Sequence, residues 1–261
     1  MGNKSVIMEK QGAVAQIRLN EPETLNALSF SLVNELMQIL EDLRTDEEVR
    51  AIILSGNGKV FCAGGNIKEF PEGVENSTVG RAYMANSVAL ASSLAQIEKP
   101  VIAAVQGYAV GAGFSLALAS DFVIASQEAE FSMGFNKIGL VPDLGALYHL
   151  PRRVGMARAK EIVYFASSIG AEEAKSYGIV LEITNKDNLD SQAMKLAVTL
   201  AGKATQAVGL AKYILNKSFE SSLEQVLQEE RFAQSIAFTT NDHREGKKAF
   251  QGKRKAEFKG N

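Results

Sequence analysis

The chain of 261 residues has no tryptophan, one cysteine (Cys62), two histidines (His149 and His243) and five prolines. A single cysteine excludes an internal disulfide framework and a cysteine-rich metal site. Two histidines are too few for a histidine-based metal centre without carboxylate help, so no metal is expected. A run of about 20 apolar residues, which a membrane span needs, is also missing. The longest candidate, 101–119, is broken by Gln106, Gly107, Gly111, Gly113 and Ser115. Residues 1–10, MGNKSVIMEK, lack the apolar stretch of a signal peptide. The formal net charge of -2 gives no electrostatic reason to expect nucleic acid or an anionic membrane as partner. A cytoplasmic protein is the expectation.

What is present is an ordinary globular mixture, 46% hydrophobic and 22% charged, long enough to bury a sizeable core. Short β-branched runs alternate with helical patterns. AQIRLN (15–20), AIILSG (51–56), VIAAVQG (101–107) and FVIAS (122–126) read as strands, the later ones buried on both faces. Between the first two, Leu32, Leu36, Ile39, Leu40 and Leu43 fall at helical spacing, with Ser29 or Ser31 as cap. A second amphipathic helix is expected over 81–97, ended by Lys99-Pro100. Strand–helix–strand alternation implies an α/β fold with a largely parallel sheet. Past Ala171 only IVLEIT (179–184) reads as a strand, and 191–239 reads as successive helices. We expect a core over 1–195 and a helical region over 196–261, with no internal sequence repeat.

Two glycine-bearing stretches are candidates for chemistry. FCAGGNIKEF (61–70) places two glycines after a strand, where a backbone can bend sharply and a ligand can approach N–H groups closely. A plain loop is the competing reading. QGYAVGAGFSLALASD (106–121) is a strand–turn–helix junction, and the first N–H groups of the helix have no intrahelical partner. Free donors and the helix dipole suit an oxygen gaining negative charge. A tight small-residue turn is compatible with the same pattern.

In order, NEPETLNALS (20–29), FCAGGNIKEF, KPVIAAVQGYAVGAGFSLALASD (99–121), FSMGFNKIGLVPDLGALYHLPRRVG (131–155) and DHREGKKAFQGKRKAEFKG (242–260) resemble the crotonase superfamily, the enoyl-CoA hydratases and isomerases. The resemblance runs over essentially the whole chain. It implies a spiral of ββα turns followed by a helical trimerisation region, and a homotrimer or dimer of trimers. It also implies an acyl-CoA thioester as substrate, coenzyme A being part of that substrate and no cofactor being needed. Carried over by position, the N–H groups of Gly65 and Ala112 form the oxyanion hole. Ala63, Gly65, Asn66, Ile67, Lys68 and, in the basic tail cluster, Lys253 fall where the family holds coenzyme A. A solvated charged tail is the other reading of Lys253, Arg254 and Lys255.

The chain departs from the hydratase pattern at both catalytic glutamates. Ser115 and Asn136 stand there, and neither a hydroxyl nor an amide takes up a proton near neutral pH. Either can still position substrate by hydrogen bonding. A carboxylate stands instead at Asp143, in LVPDLG, where hydratases carry glycine. Relatives with aspartate there include ring-type and dienoyl-CoA isomerases and aryl-CoA dehalogenases. The chain has no tryptophan for the aromatic pocket of the dehalogenase branch. An aspartate among Val141, Pro142, Leu144 and Leu147 is desolvated, which raises its pKa. One such group suffices to move a double bond, taking a proton from one carbon and returning it to another. An aspartate ahead of Leu-Gly-Ala-Leu also fits a helix cap or turn. Three functions therefore follow: a single-aspartate isomerase, a hydratase that activates water differently, or a non-catalytic coenzyme A- or RNA-binding member. Cys62 and His149 are lesser candidates, better read as packing residues. The helix and loop from Pro71 to Ser92 are the expected acyl-pocket wall.

Overall fold

The computed structural model describes residues 4–70 and 76–261; 71–75 of the expected pocket wall lie outside them. Two strands, β1 (Val6–Gln11) and β2 (Val14–Leu19), form an antiparallel hairpin that turns at Gly12, whose φ of 58° suits glycine. Next come β3 (Ala51–Gly56), β4 (Val101–Val105), β6 (Phe122–Ser126) and β9 (Glu182–Thr184). They extend the sheet in parallel to the order β1-β2-β3-β4-β6-β9. A smaller sheet holds β5 (Tyr108–Val110), β7 (Glu130–Ser132) and β8 (Ile169–Gly170). Cys62 joins it by a bridge to Ala109.

The chain repeats one unit: a strand in the large sheet, a strand in the small one, then helix. The first unit runs from β3 through the Cys62 bridge to α2 (Ser77–Tyr83) and α3 (Ala85–Gln96). The second runs β4, β5, α4 (Ala112–Ala119). The third runs β6, β7, then α5 (Ala146–Val154) and α6 (Met156–Phe165). This is the expected ββα spiral. The helix expected over 81–97 is divided at Met84 into α2 and α3.

Both faces of the large sheet are covered. α1 (Phe30–Thr45), capped by the Ser29 hydroxyl on Leu32 N–H, buries Leu32, Leu36, Leu40 and Leu43 on one side. On the other side, α8 (Leu189–Ala201) lays Leu189, Ala193, Ala197 and Ala201 on Val14, Ala51, Ile53, Ile102 and Ile124. Strands buried on both faces carry apolar residues at consecutive positions, which is why β3 and β4 read as unbroken runs. The boundary expected at 195/196 falls inside α8. α7 (Ala171–Ser176) precedes β9, and α9 (Thr205–Lys217), α10 (Leu223–Ala237) and α11 (Asn241–Gln251) follow α8. No described helix is long and apolar enough to cross a membrane.

Candidate active site

The two glycine-bearing stretches meet. Cys62 N–H donates to Tyr108 C=O at 3.1 Å, and Val110 N–H donates to Cys62 C=O at 3.0 Å. A β-carbon on Gly64 (φ 110°) would stand 3.0 Å from the Val110 carbonyl oxygen and 3.8 Å from the Ala112 nitrogen. Backbone thus lies against backbone with no space for side chains.

Gly65 sits in a bridge with Leu28 that uses the neighbouring groups: Leu28 N–H binds Gly64 C=O at 2.7 Å and Asn66 N–H binds Leu28 C=O at 3.1 Å. Gly65 N–H itself donates to no described residue. Ala112 is the first residue of α4, behind Gly111 at φ 53°, and its N–H is likewise without a described acceptor. The structure therefore leaves two unused backbone donors on touching loops. Such donors bind an oxygen that gains negative charge, and α4 adds its positive N-terminal dipole.

Ser115 is fully buried and donates its hydroxyl to Gly111 C=O at 3.2 Å, within α4. Asn136 gives its side-chain amide to Tyr164 C=O at 2.5 Å. It lies on the wall of a mainly apolar cavity of about 580 Å³, with Leu140, Val141, Leu147 and Val163. Neither side chain is a proton acceptor.

Asp143 does not cap α5. The helix begins at Ala146 behind Gly145, in the left-handed conformation (φ 78°), with no side-chain cap. The turn is closed by main chain instead, Ala146 N–H donating to Asp143 C=O at 3.0 Å. Leu144, a buried non-glycine residue at φ 50°, shares the left-handed bend, a conformation that costs roughly 1–2 kcal/mol. Among the described residues, Asp143 Oδ1 is buried without a hydrogen-bond partner. Burial pushes its pKa up to about 6, only partly opposed by its own amide. Such a group is mostly ionised at neutral pH yet basic enough to take a proton.

The profile of the enoyl-CoA hydratase/isomerase family matches residues 9–261. The chain belongs to that family. A probable enoyl-CoA hydratase of Rhizobium meliloti is 37% identical over 259 residues, 99% of each chain. The 1,2-epoxyphenylacetyl-CoA isomerase of Escherichia coli is 35% identical over 261 residues, 98% of each. An enoyl-CoA hydratase/isomerase crystal structure from Cupriavidus metallidurans superimposes with a TM-score of 0.93 at 34% identity, covering 100% of this chain and 98% of that one. The protein is an enzyme of the enoyl-CoA hydratase/isomerase family with its α/β spiral fold.

The remaining candidates of this family member are placed as follows. Ala63 N–H is held by Leu25 C=O at 3.0 Å. Asn66 caps a short turn over Ile67–Glu69, its side chain accepting from Lys68 N–H, so that Ile67 and Lys68 face solvent. Lys253 follows α11 in the left-handed region (φ 49°) and is exposed. Its neighbour Arg254 is not free, since Glu245 takes both its terminal nitrogens at 2.6 and 2.8 Å. Cys62 is fully buried, and burial pushes its thiol up to about 12. Burial, then Arg153 and Arg152, push His149 down to about 4, leaving a neutral imidazole beside Gly145. Sequence reasoning missed Asn26. Wholly buried at φ 54°, it donates to the carbonyls of Asn57, Val60 and Phe61 at 2.9, 3.0 and 3.3 Å, and so holds the start of the Gly64-Gly65 loop. A polar residue inside the apolar pattern of LNAL was the available signal.

Proposed function

We propose that this enzyme moves a double bond in an enoyl-CoA thioester, from the 3- to the 2-position, with Asp143 as the one proton-carrying group. The observation that carries the reading is the buried, unpartnered carboxylate oxygen of Asp143, at a site where Ser115 and Asn136 replace the hydratase glutamates. The Asp143 carboxylate takes a proton from C2. The electron pair moves into the thioester carbonyl, and the oxygen of the resulting dienolate rests on the N–H groups of Gly65 and Ala112. Asp143 then returns the proton to C4, and the carbonyl re-forms as the 2-enoyl ester. No water enters the product, so a second carboxylate to activate water is not required. Each backbone donor is worth about 3 kcal/mol in comparable sites. Ala63, Asn66, Ile67, Lys68 and Lys253 are proposed to contact the coenzyme A portion, whose phosphates need cations.

The test is Asp143→Asn, assayed with 3-hexenoyl-CoA for isomerisation and crotonyl-CoA for hydration. Isomerisation should fall by about 10²–10⁴ while a non-reactive acyl-CoA binds as before. Full isomerase activity in the variant, or crotonyl-CoA hydration as fast as isomerisation in the wild type, would sink the proposal and favour a hydratase.

We also propose a homotrimer. α10 has no buried residue, although Leu223, Leu227, Phe232 and Ile236 lie along it. Within the chain it packs chiefly on α9. Helices with such apolar exposure are stable when a second copy covers them. Sedimentation at micromolar concentration tests it, and a monomer there excludes it.

A further inference from the structure

The direction of the Gly65 donor is set by the carbonyl that shares its peptide bond. A trans peptide is planar, and its C=O and N–H point opposite ways. Leu28 N–H draws the Gly64 carbonyl toward itself at 2.7 Å and so turns Gly65 N–H away from Leu28. On the other side of Gly65, Asn66 N–H donates to Leu28 C=O at 3.1 Å. These two bonds are the whole of the Leu28–Gly65 bridge, which stands outside the named strands. No ladder on either side keeps it in register.

Glu69 supplies that tie. Its Oε2 accepts Phe30 N–H at 2.6 Å, two residues past Leu28, and its Oε1 accepts the Asn66 side-chain amide at 3.2 Å, one residue past Gly65. One half-buried carboxylate thus joins both chains of the bridge. Phe30 is the first residue of α1, where N–H groups lack intrahelical partners and the helix dipole favours a negative group. Hydrogen bonds to a charged acceptor are shorter and stronger than neutral ones. The Asn66 amide is used at its other end too, Oδ1 accepting Lys68 N–H at 3.3 Å. It cannot turn over without losing both bonds. The residue after Glu69 also bears on the donor: a β-carbon on Gly65 would stand 3.0 and 3.1 Å from two ring carbons of Phe70.

We propose that Glu69 is a positioning residue for the thioester oxygen. By tying Phe30 to Asn66 it keeps the Leu28–Gly65 bridge in register, and so keeps Gly65 N–H aimed where charge develops. A hydrogen bond weakens steeply as its N–H···O angle falls toward about 120°. The enolate oxygen depends on that alignment more than the neutral carbonyl does, so a loosened donor lowers kcat rather than raising KM. The inference rests on the reading of Gly65 and Ala112 as the oxygen-binding pair.

The experiment exchanges donor and acceptor without changing shape. Glu69→Gln sets a second NH2 group against that of Asn66, and Asn66→Asp sets two carboxylates together. The double variant again has one donor facing one acceptor. Each is assayed on whichever of 3-hexenoyl-CoA and crotonyl-CoA the wild type turns over faster. A second readout is the ultraviolet absorbance of the enolate of bound acetoacetyl-CoA, which carries negative charge on the thioester oxygen. Each single variant should lose ten- to a hundredfold in kcat and at least threefold in bound enolate, with KM in Glu69→Gln moving less than threefold. The double variant should regain at least fivefold in kcat over either single one, which also shows that the exchange is tolerated by the fold. Three results overturn the proposal: wild-type kcat in Glu69→Gln, a double variant no better than the worse single one, or a kcat loss that only follows the folded fraction while bound enolate is unchanged. Ala112→Pro separates the two readings. If it binds the enolate as wild type does, or wild type forms none, the oxygen-binding pair fails and the inference with it. If it loses the enolate while Glu69→Gln keeps it, the pair stands and the role of Glu69 fails.

Discussion

Gly113 lies flat against Cys62. A β-carbon on Gly113 would overlap the Cys62 carbonyl oxygen and stand 2.8 Å from the Cys62 β-carbon. Both partners are buried and the obstacle is backbone, which cannot rotate away. Gly113→Ala should therefore destabilise the protein by about 1–3 kcal/mol of overpacking, even though alanine favours a helix by about 1 kcal/mol. Urea titration measures this. The loop bearing Gly65 must shift to admit the methyl group, so turnover should fall further than the folded fraction does. Unchanged stability would show that the two loops are not locked together.

Ala112→Pro removes one proposed oxyanion donor with little damage to the helix. Proline is well tolerated as the first helical residue, where its missing N–H has no intrahelical partner. The circular dichroism spectrum should remain, and kcat should drop by about 10²–10³. A fully active proline variant would remove Ala112 from the hole.

Asn26→Asp keeps shape but turns a donor into an acceptor facing the carbonyls of Asn57, Val60 and Phe61. Burial without matching donors is costly, and about 2–4 kcal/mol of stability should go. Glu21 N–H, which donates to Asn26 Oδ1 at 3.0 Å, remains served. Thermal unfolding of the variant against wild type measures the loss. Wild-type stability would show that Asn26 is not what anchors the loop.

How much of this could be read in the sequence depended on which atoms do the work. The parallel character of the sheet and the junction at Ala112 were legible because apolar period and glycine position encode them, whereas the spiral was expected only from the resemblance to the family. β1, β5, β7 and β8 were not expected. The last three are two or three residues long, too short for a periodic pattern, and β5 and β7 owe their existence to each other and to Cys62. The role of Asp143 as cap could not be judged in advance, because cap or free carboxylate depends on where α5 starts. Leu144 in the left-handed region shifts that start to Ala146, and no local preference of leucine announces it. The hold of Asn26 on residues 57–61 is equally a product of folding, joining positions more than 30 apart.

Activity should decline in acid as Asp143 takes up its proton. With a folded pKa of about 6, kcat/KM should be flat above pH 7 and fall tenfold per unit well below pH 6. A limb near 4 would mean that the carboxylate is solvated during catalysis. Initial rates between pH 4.5 and 8 decide.

The same carboxylate should lower stability. Its ordinary pKa is 3.8, and burial raises it in the fold, so the native state holds the proton more tightly than the unfolded chain. Stability from the neutral form is complete below pH 3.8 and lost as pH rises through about 6. At neutral pH the penalty is at most about 3 kcal/mol. Asp143→Asn should thus melt at least as high as wild type at pH 7.5, with the gap shrinking toward pH 4. A lower melting point at pH 7.5 would contradict the sign.

The two free donors at Gly65 and Ala112 belong to the main chain, and this separates two kinds of inheritance. Almost any single codon change leaves a backbone N–H in place, proline being the exception. The proposed means of gripping a thioester oxygen therefore does not depend on which side chain stands at 112, although the glycines packed around it leave no space for one. The proposed proton carrier, Asp143, is one side chain on one turn and can be lost in a single substitution. Laboratory evolution toward a different fate for the same enolate should find its first mutations at 115, 136 and 143, while the glycine loops remain untouched.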